Sequence, residues 1–255
     1  MEEDLPRDFG KLSNLQQLHI RSCPIKKLPA SFTALTSLQT LTIEYCSQLS
    51  SIAGSLDNLK RLKQLELTGC CMLTGPLNFL PRSLEIQRLP SNLGFDLPQL
   101  RQLRLHFTKG LTALPETITR LQHLTSLVID HASQLASLPD GIEALSRLRI
   151  LRLSHCSALQ HLPSSLTRLT CLHELNAKGA GIRALPPNMA QLSRLRKLYL
   201  GGCKQLQALP ESLTDLTMLW FMGIKGSDRA IDSVSDQQEC RYHRMYDLRT
   251  DSAGQ

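Results

Sequence analysis

Aromatic side chains are scarce in this 255-residue chain: six Phe, four Tyr and a single Trp, 4% in all. Compact cores commonly draw much of their buried area from such rings, so this core must be built from something else. No apolar run approaches the roughly 18 residues needed to cross a bilayer, and no membrane span is expected. The opening MEEDLPRDFG is acidic and has no apolar stretch, so no secretory signal is expected there. Gly-rich phosphate loops, HExxH and GxSxG are all missing. So is a charge block: up to Ile224 there are 24 basic and 16 acidic residues, and beyond it 5 and 6. The basic residues are scattered beside leucines with almost no aromatic interleaving, whereas nucleic-acid binding gathers them on one face. No nucleic-acid partner is expected. The eight cysteines do not form the framework of a short secreted chain. They also lack CxxC-type pairs for zinc, and Cys70-Cys71 is not such a pair. Neither a metal nor a cofactor is expected.

What is abundant is leucine, with 52 residues, about a fifth of the chain. The leucines are periodic. LSRLRILRLSHCSALQHLPSSLTR, from Leu145 to Arg168, recurs with small changes. Its first leucine corresponds to Leu12, Leu35, Leu59, Leu97, Leu121, Leu169, Leu192 and Leu216, at intervals of 23 or 24 residues with one exception of 38. A period of this length with LxxLxLxx(N/C)xL is a leucine-rich repeat. In LxL the two leucines point to one side of a strand, and their neighbours face the other way. The Leu-Pro step, as in Leu114-Pro115 and Leu162-Pro163, suits an extended or turn conformation that donates no hydrogen bond. The SxLxxL piece after it returns as a 3₁₀ or short helical turn. One unit cannot bury its own leucines, so the units must stack. The fold class is therefore α/β: a horseshoe solenoid of about nine short parallel strands on the concave face, with helical turns on the convex face.

Three residues after each LxL stand Cys23, Cys46, Cys70, Thr108, Ala132, Cys156, Ala180, Cys203 and Ser227, all small. This residue turns inward to end the strand, so the five ladder cysteines are expected to be structural and buried. Cys71, Cys171 and Cys240 lie outside the ladder. The repeat domain is placed at residues 1–227, with an irregular insertion at about 74–96 that forms a loop or a distorted convex turn. Residues 228–255 read as a polar tail or weak cap. The chain opens mid-repeat at Leu5-Pro6, as a piece of a longer protein would, which places Leu12, Leu15 and Leu18 near an uncapped end.

Cys240 and His243 are the one Cys–His pairing that invites a nucleophile, but the surrounding tail has too little apolar sequence to build a pocket. Catalysis is not expected. The concave face is more informative. Between the repeat leucines stand His19, Thr42, Glu66, Arg104, Val128, Arg152, Asn176, Tyr199 and Gly223. Two residues further on stand Arg21, Glu44, Thr68, His106, Asp130, Ser154, Lys178, Gly201 and Lys225. The next column is Ser22, Tyr45, Gly69, Phe107, His131, His155, Gly179, Gly202 and Gly226. With strands about 4.8 Å apart, Phe107, His131 and His155 should form one row flanked by Arg104, His106 and Arg152. Exposed aromatic and Arg groups are what protein-binding hot spots favour. The candidate protein-binding residues are Glu66, Arg104, His106, Phe107, Asp130, His131, Arg152, His155, Glu174 and Lys178. Two stacked histidines could also hold a metal, but no third ligand is fixed beside them except Asp130. A plain solvent-facing strand surface is the remaining reading.

LxxLxxLxLxxCxxLxxLPxxLxxL with Cys at the ladder position resembles the repeats of PopC- and XopL-like type III effectors of plant-pathogenic bacteria, and those of plant intracellular immune receptors. The resemblance runs from Leu5 to about Ile224. It implies a non-enzymatic, monomeric recognition module, secreted by a type III system into the host cytoplasm or nucleus, that binds a host protein with its concave face. XopL-like effectors carry a separate ubiquitin-ligase domain after their repeats. An alternative is thus the substrate-recognition arm of a ligase whose catalytic domain is absent here, and another is the sensor region of a plant immune receptor.

Overall fold

The computed structural model describes residues 5–49, 56, 58–70 and 89–226. Within these, nine strands form one open parallel sheet in strictly sequential order. The strands are β1 (Gln17–Arg21), β2 (Thr40–Glu44), β3 (Gln64–Thr68), β4 (Gln102–His106), β5 (Ser126–Asp130), β6 (Ile150–Arg152), β7 (Glu174–Asn176), β8 (Lys197–Tyr199) and β9 (Phe221–Gly223). The sheet is the α/β solenoid that the leucine spacing implies.

Register follows the repeat. Leu18, Leu41, Leu65, Leu103, Leu127, Leu151, Leu175, Leu198 and Met222 lie side by side across the sheet. From Leu41 to Met222 all are buried. The extra residues between β3 and β4 leave this register intact, with Leu65 opposite Leu103 and Leu67 opposite Leu105. Residues 71–88, which hold most of the insertion placed at about 74–96, lie outside the described residues, as do Ser227 and the tail with Cys240 and His243. The chain rejoins the common path at Leu89-Pro90 and the single turn α1 (Leu93–Asp96).

Each Leu-Pro step does what proline's geometry allows. Pro29, Pro115, Pro163 and Pro210 are extended, with φ between −62° and −68°. Their carbonyls accept from the N–H three residues on, opening the 3₁₀ turns Ala30–Ala34, Glu116–Arg120, Ser164–Arg168 and Glu211–Asp215. One leucine, isoleucine or phenylalanine of each turn (Phe32, Ile118, Leu166, Leu213) is buried against the strand leucines. The core is thus nearly all aliphatic, and Phe9 stacked on Phe32 at 6.2 Å is its main ring contact.

The ladder position behaves as a thiol-capped strand end. Cys46, Cys70, Cys156 and Cys203 are fully buried. Three of them reach a carbonyl of the preceding strand or the turn just after it: Cys70 donates to Ile43 at 3.6 Å, Cys156 to Ile129 at 3.5 Å and Cys203 to Ala177 at 3.0 Å. Cys23 departs from the expectation. It is only half-buried, because β1 has a neighbour on one side among the described residues. The same edge leaves Leu12 51% exposed. Burial pushes the Cys156 thiol up to about 12 and the Cys203 thiol to about 11. A thiol must ionise to react. In native protein at pH 8, iodoacetamide should therefore alkylate Cys171 and Cys23 well before the four buried thiols, as read by peptide mass mapping. Labelling of Cys156 as fast as Cys171 would contradict this packing.

Candidate functional site

The third concave column is not part of the strands. It lies one residue beyond β1–β5 and three beyond β6–β9, and every member has positive φ: Ser22 (53°), Tyr45 (54°), Gly69 (61°), Phe107 (55°), His131 (60°), His155 (59°), Gly179 (67°), Gly202 (74°) and Gly226 (78°). This left-handed turn is where glycine is at ease and other residues are strained by roughly 1–2 kcal/mol. It persists because it aims the turn's N–H at the next repeat. Tyr45 N–H donates to the Thr68 carbonyl at 2.7 Å, Phe107 to Asp130 at 2.9 Å, His131 to Ser154 at 2.8 Å and His155 to Lys178 at 2.7 Å. Each bond carries the parallel ladder past the end of the strand.

The same turn sets the rings. Phe107 and His131 stack at 4.6 Å between centroids, and His131 and His155 at 4.5 Å, both pairs tilted by 27°. Such pairs are worth about 0.5–1.5 kcal/mol each beyond burial, which offsets much of the turn strain. The row leans toward the C-terminal repeats and ends on Gly179. A Cβ there would lie 2.6 Å from Nδ1 of His155. Gly179 is thus required twice, by its φ and by the ring above it. Phe107 remains 43% exposed.

Charges beside the row pair across neighbouring strands. His106 Nδ1 lies 3.2 Å from Asp130 Oδ2. Arg152 Nε donates to Glu174 Oε1 at 2.7 Å, and Glu174 is 9% exposed. Burial alone would raise Asp130, but hydrogen bonds from His106 and Ser154 outweigh it and hold the carboxyl below its ordinary value. His131 is also lowered. Burial between two rings comes first, then the nearby charge of His155. Its Nδ1 is buried and has no hydrogen-bond partner among the described residues.

The structure therefore sorts the ten candidates. Phe107, His131 and His155 form one stack. His106 with Asp130, and Arg152 with Glu174, form bridges between strands. Glu66 and Arg104 are opposite in register but form no ion pair. Lys178 is exposed one position before Gly179. Val128 is 4% exposed, although it occupies an outward position. It lies in register between Arg104 and Arg152, which are long enough to cover it. Among the described residues no group of three or more His, Cys, Asp or Glu is placed to hold a metal, and no helix is long and apolar enough to cross a membrane.

A family model described as a leucine-rich repeat region matches residues 2–81 and 140–246. The chain belongs to the leucine-rich repeat family. Among solved structures, this repeat protein is similar to the leucine-rich repeat domain of the type III effector XopL, with TM-score 0.74 and 27% identity, covering 88% of this chain and 73% of that one. It is also similar to a Leptospira interrogans leucine-rich repeat protein, with TM-score 0.71 and 27% identity over 88% of this chain and 52% of that one. A probable disease resistance protein of Arabidopsis thaliana is 31% identical over 134 residues, 49% of this chain and 8% of that protein. The human volume-regulated anion channel subunit LRRC8D is 31% identical over 131 residues, 50% of this chain and 14% of that protein. The chain thus spans a small part of the curated relatives it matches.

Two outcomes follow from the row of this repeat protein. Gly179→Ala should lower unfolding stability by about 1–2 kcal/mol from the left-handed turn and by more through the collision with the His155 ring, the excess disappearing in a His155→Ala background. Urea denaturation reads both, and a neutral Gly179→Ala would contradict the turn. The second concerns pH. A histidine whose folded value is lowered gives stability that is full above the unfolded imidazole value, about 6.5, and is lost as pH falls below it. Stability should therefore fall more steeply from pH 7.5 to 5.5 in the parent than in His131→Phe. Asp130 acts only in more acidic solution, where its stabilisation is lost. Equal slopes would contradict the assignment to His131.

Proposed function

We propose that this chain is a recognition module of a bacterial type III effector, and that it binds a host protein along the Phe107–His131–His155 row. The observation that carries the reading is the row itself. Three stacked rings are held on strained turns, with Phe107 and His155 exposed to solvent, and Arg104 alongside has no ion-pair partner among the described residues. Aromatic and Arg groups grouped in this way supply most of the energy of protein interfaces. The likeness to the XopL repeat domain, over 88% of this chain, supports the effector setting.

A second reading has its own support. The match to an Arabidopsis disease resistance protein favours the sensor repeats of a plant immune receptor, in which the same face would serve. A nucleotide-binding domain encoded upstream would decide for it.

The binding test must spare the bridges. Arg152→Glu would leave buried Glu174 facing a like charge, so a loss of binding could reflect a damaged sheet. The informative variant is Arg104→Ala/Phe107→Ala/His155→Ala, checked by thermal melting. A host protein captured from plant extract by the parent should bind this variant at least about tenfold more weakly, since loss of one hot-spot residue costs more than 1 kcal/mol. Undiminished capture by the variant would make the row a solvent-facing scaffold.

A further inference from the structure

Beyond His155 the concave face changes character. The turn positions become Gly179, Gly202 and Gly226, and the strand columns hold Gly201 and Gly223. Side chains that fill the face at repeats with Arg104, Phe107 and Arg152 are missing here. The result is a hollow of about 750 Å³, with Gly179, Gly201, Gly202 and Gly223 among its lining residues. That volume is within the roughly 300–1,000 Å³ of small-molecule sites.

The wall is strongly one-signed. Lys178, Lys204 and Lys225 line the hollow, and among the described residues no Asp or Glu does. None of the three lysines has an acidic partner there. This contrasts with the preceding repeats, where Arg152 and His106 each meet a carboxylate. Lys178 and Lys225 occupy the same column two repeats apart, about 10 Å at the usual strand spacing. His155, from the ring row, and Tyr199 also line the hollow. Three lysines around one hollow, with no carboxylate among its described lining residues, leave a surplus of positive charge that an anion would balance.

We infer that this hollow is a binding site for a small ligand carrying two or more phosphate groups. Lysine is a compact point charge that binds phosphate readily without a fixed geometry. The glycine floor lets a bulky polyanion approach the backbone, and the aromatic wall offers a face to any organic portion. The site shares His155 and Lys178 with the proposed protein-binding face but needs no host protein, so either reading can fail alone.

The probe is inorganic tripolyphosphate, titrated calorimetrically into the intact chain. Saturable binding of one ligand is expected, weakening as salt rises. Lys178→Gln/Lys225→Gln should weaken it at least tenfold. Lys26→Gln/Lys27→Gln, which removes the same charge from an exposed stretch after β1, should change it less than twofold. Absence of saturable binding, or an equal loss in both double variants, would overturn the site. Neither variant touches Arg104 or Phe107, so capture of a host protein by the first would leave the protein-binding reading standing whatever the calorimetry shows.

Discussion

From β1 to β8 the chain leaves each strand through a left-handed residue whose N–H donates to a carbonyl at or just past the end of the next strand, and this bond organises the molecule. A unit of 23 or 24 residues has too few leucines to make a core by itself. Stacking supplies the core, but leucine packing alone does not fix how one repeat meets the next. The turn does. It extends the ladder, sends the following small residue inward, and lets a buried thiol such as Cys156 or Cys203 bond a carbonyl of the preceding unit. Backbone strain at Phe107, His131 and His155 is tolerated because the same conformation gains a hydrogen bond and a ring contact.

One backbone device thereby yields two surfaces. Where the turn residues are Phe107, His131 and His155, the face is covered by a continuous stack with ion pairs beside it. Where they are Gly179, Gly202 and Gly226, the face opens into a hollow edged by lysines. The change happens at Gly179, which receives the last ring and begins the floor. Substitution at a single column therefore tunes the concave face without touching the core. This is how a repeat scaffold acquires different partners while the leucines stay the same.

The solenoid was legible because its causes are local and repeated. Leucine spacing specifies register, Leu-Pro specifies the extended step before each 3₁₀ turn, and the ladder cysteines mark strand ends. The row of Phe107, His131 and His155 was legible from the same alignment. The left-handed turn was not inferred, although its sign was present in four glycines at one register (Gly69, Gly179, Gly202 and Gly226). The bridges were also missed. Arg152 and Glu174 come from different columns, and Glu174 stands at the start of its strand, so only the offset between strands shows that they meet. Cys23 was expected to be buried like its counterparts. Periodicity treats all repeats as equal, whereas a strand with one neighbour is not.

The claim on which the rest depends is that the turn residues are part of the ladder. Amide hydrogen exchange resolved by residue tests it directly. Phe107, His131 and His155 should exchange as slowly as the strand amides of Leu127 and Leu151, because each donates to the following repeat. Exchange at these three as fast as at exposed loop amides would contradict the account, leaving the ring row without the backbone support it requires.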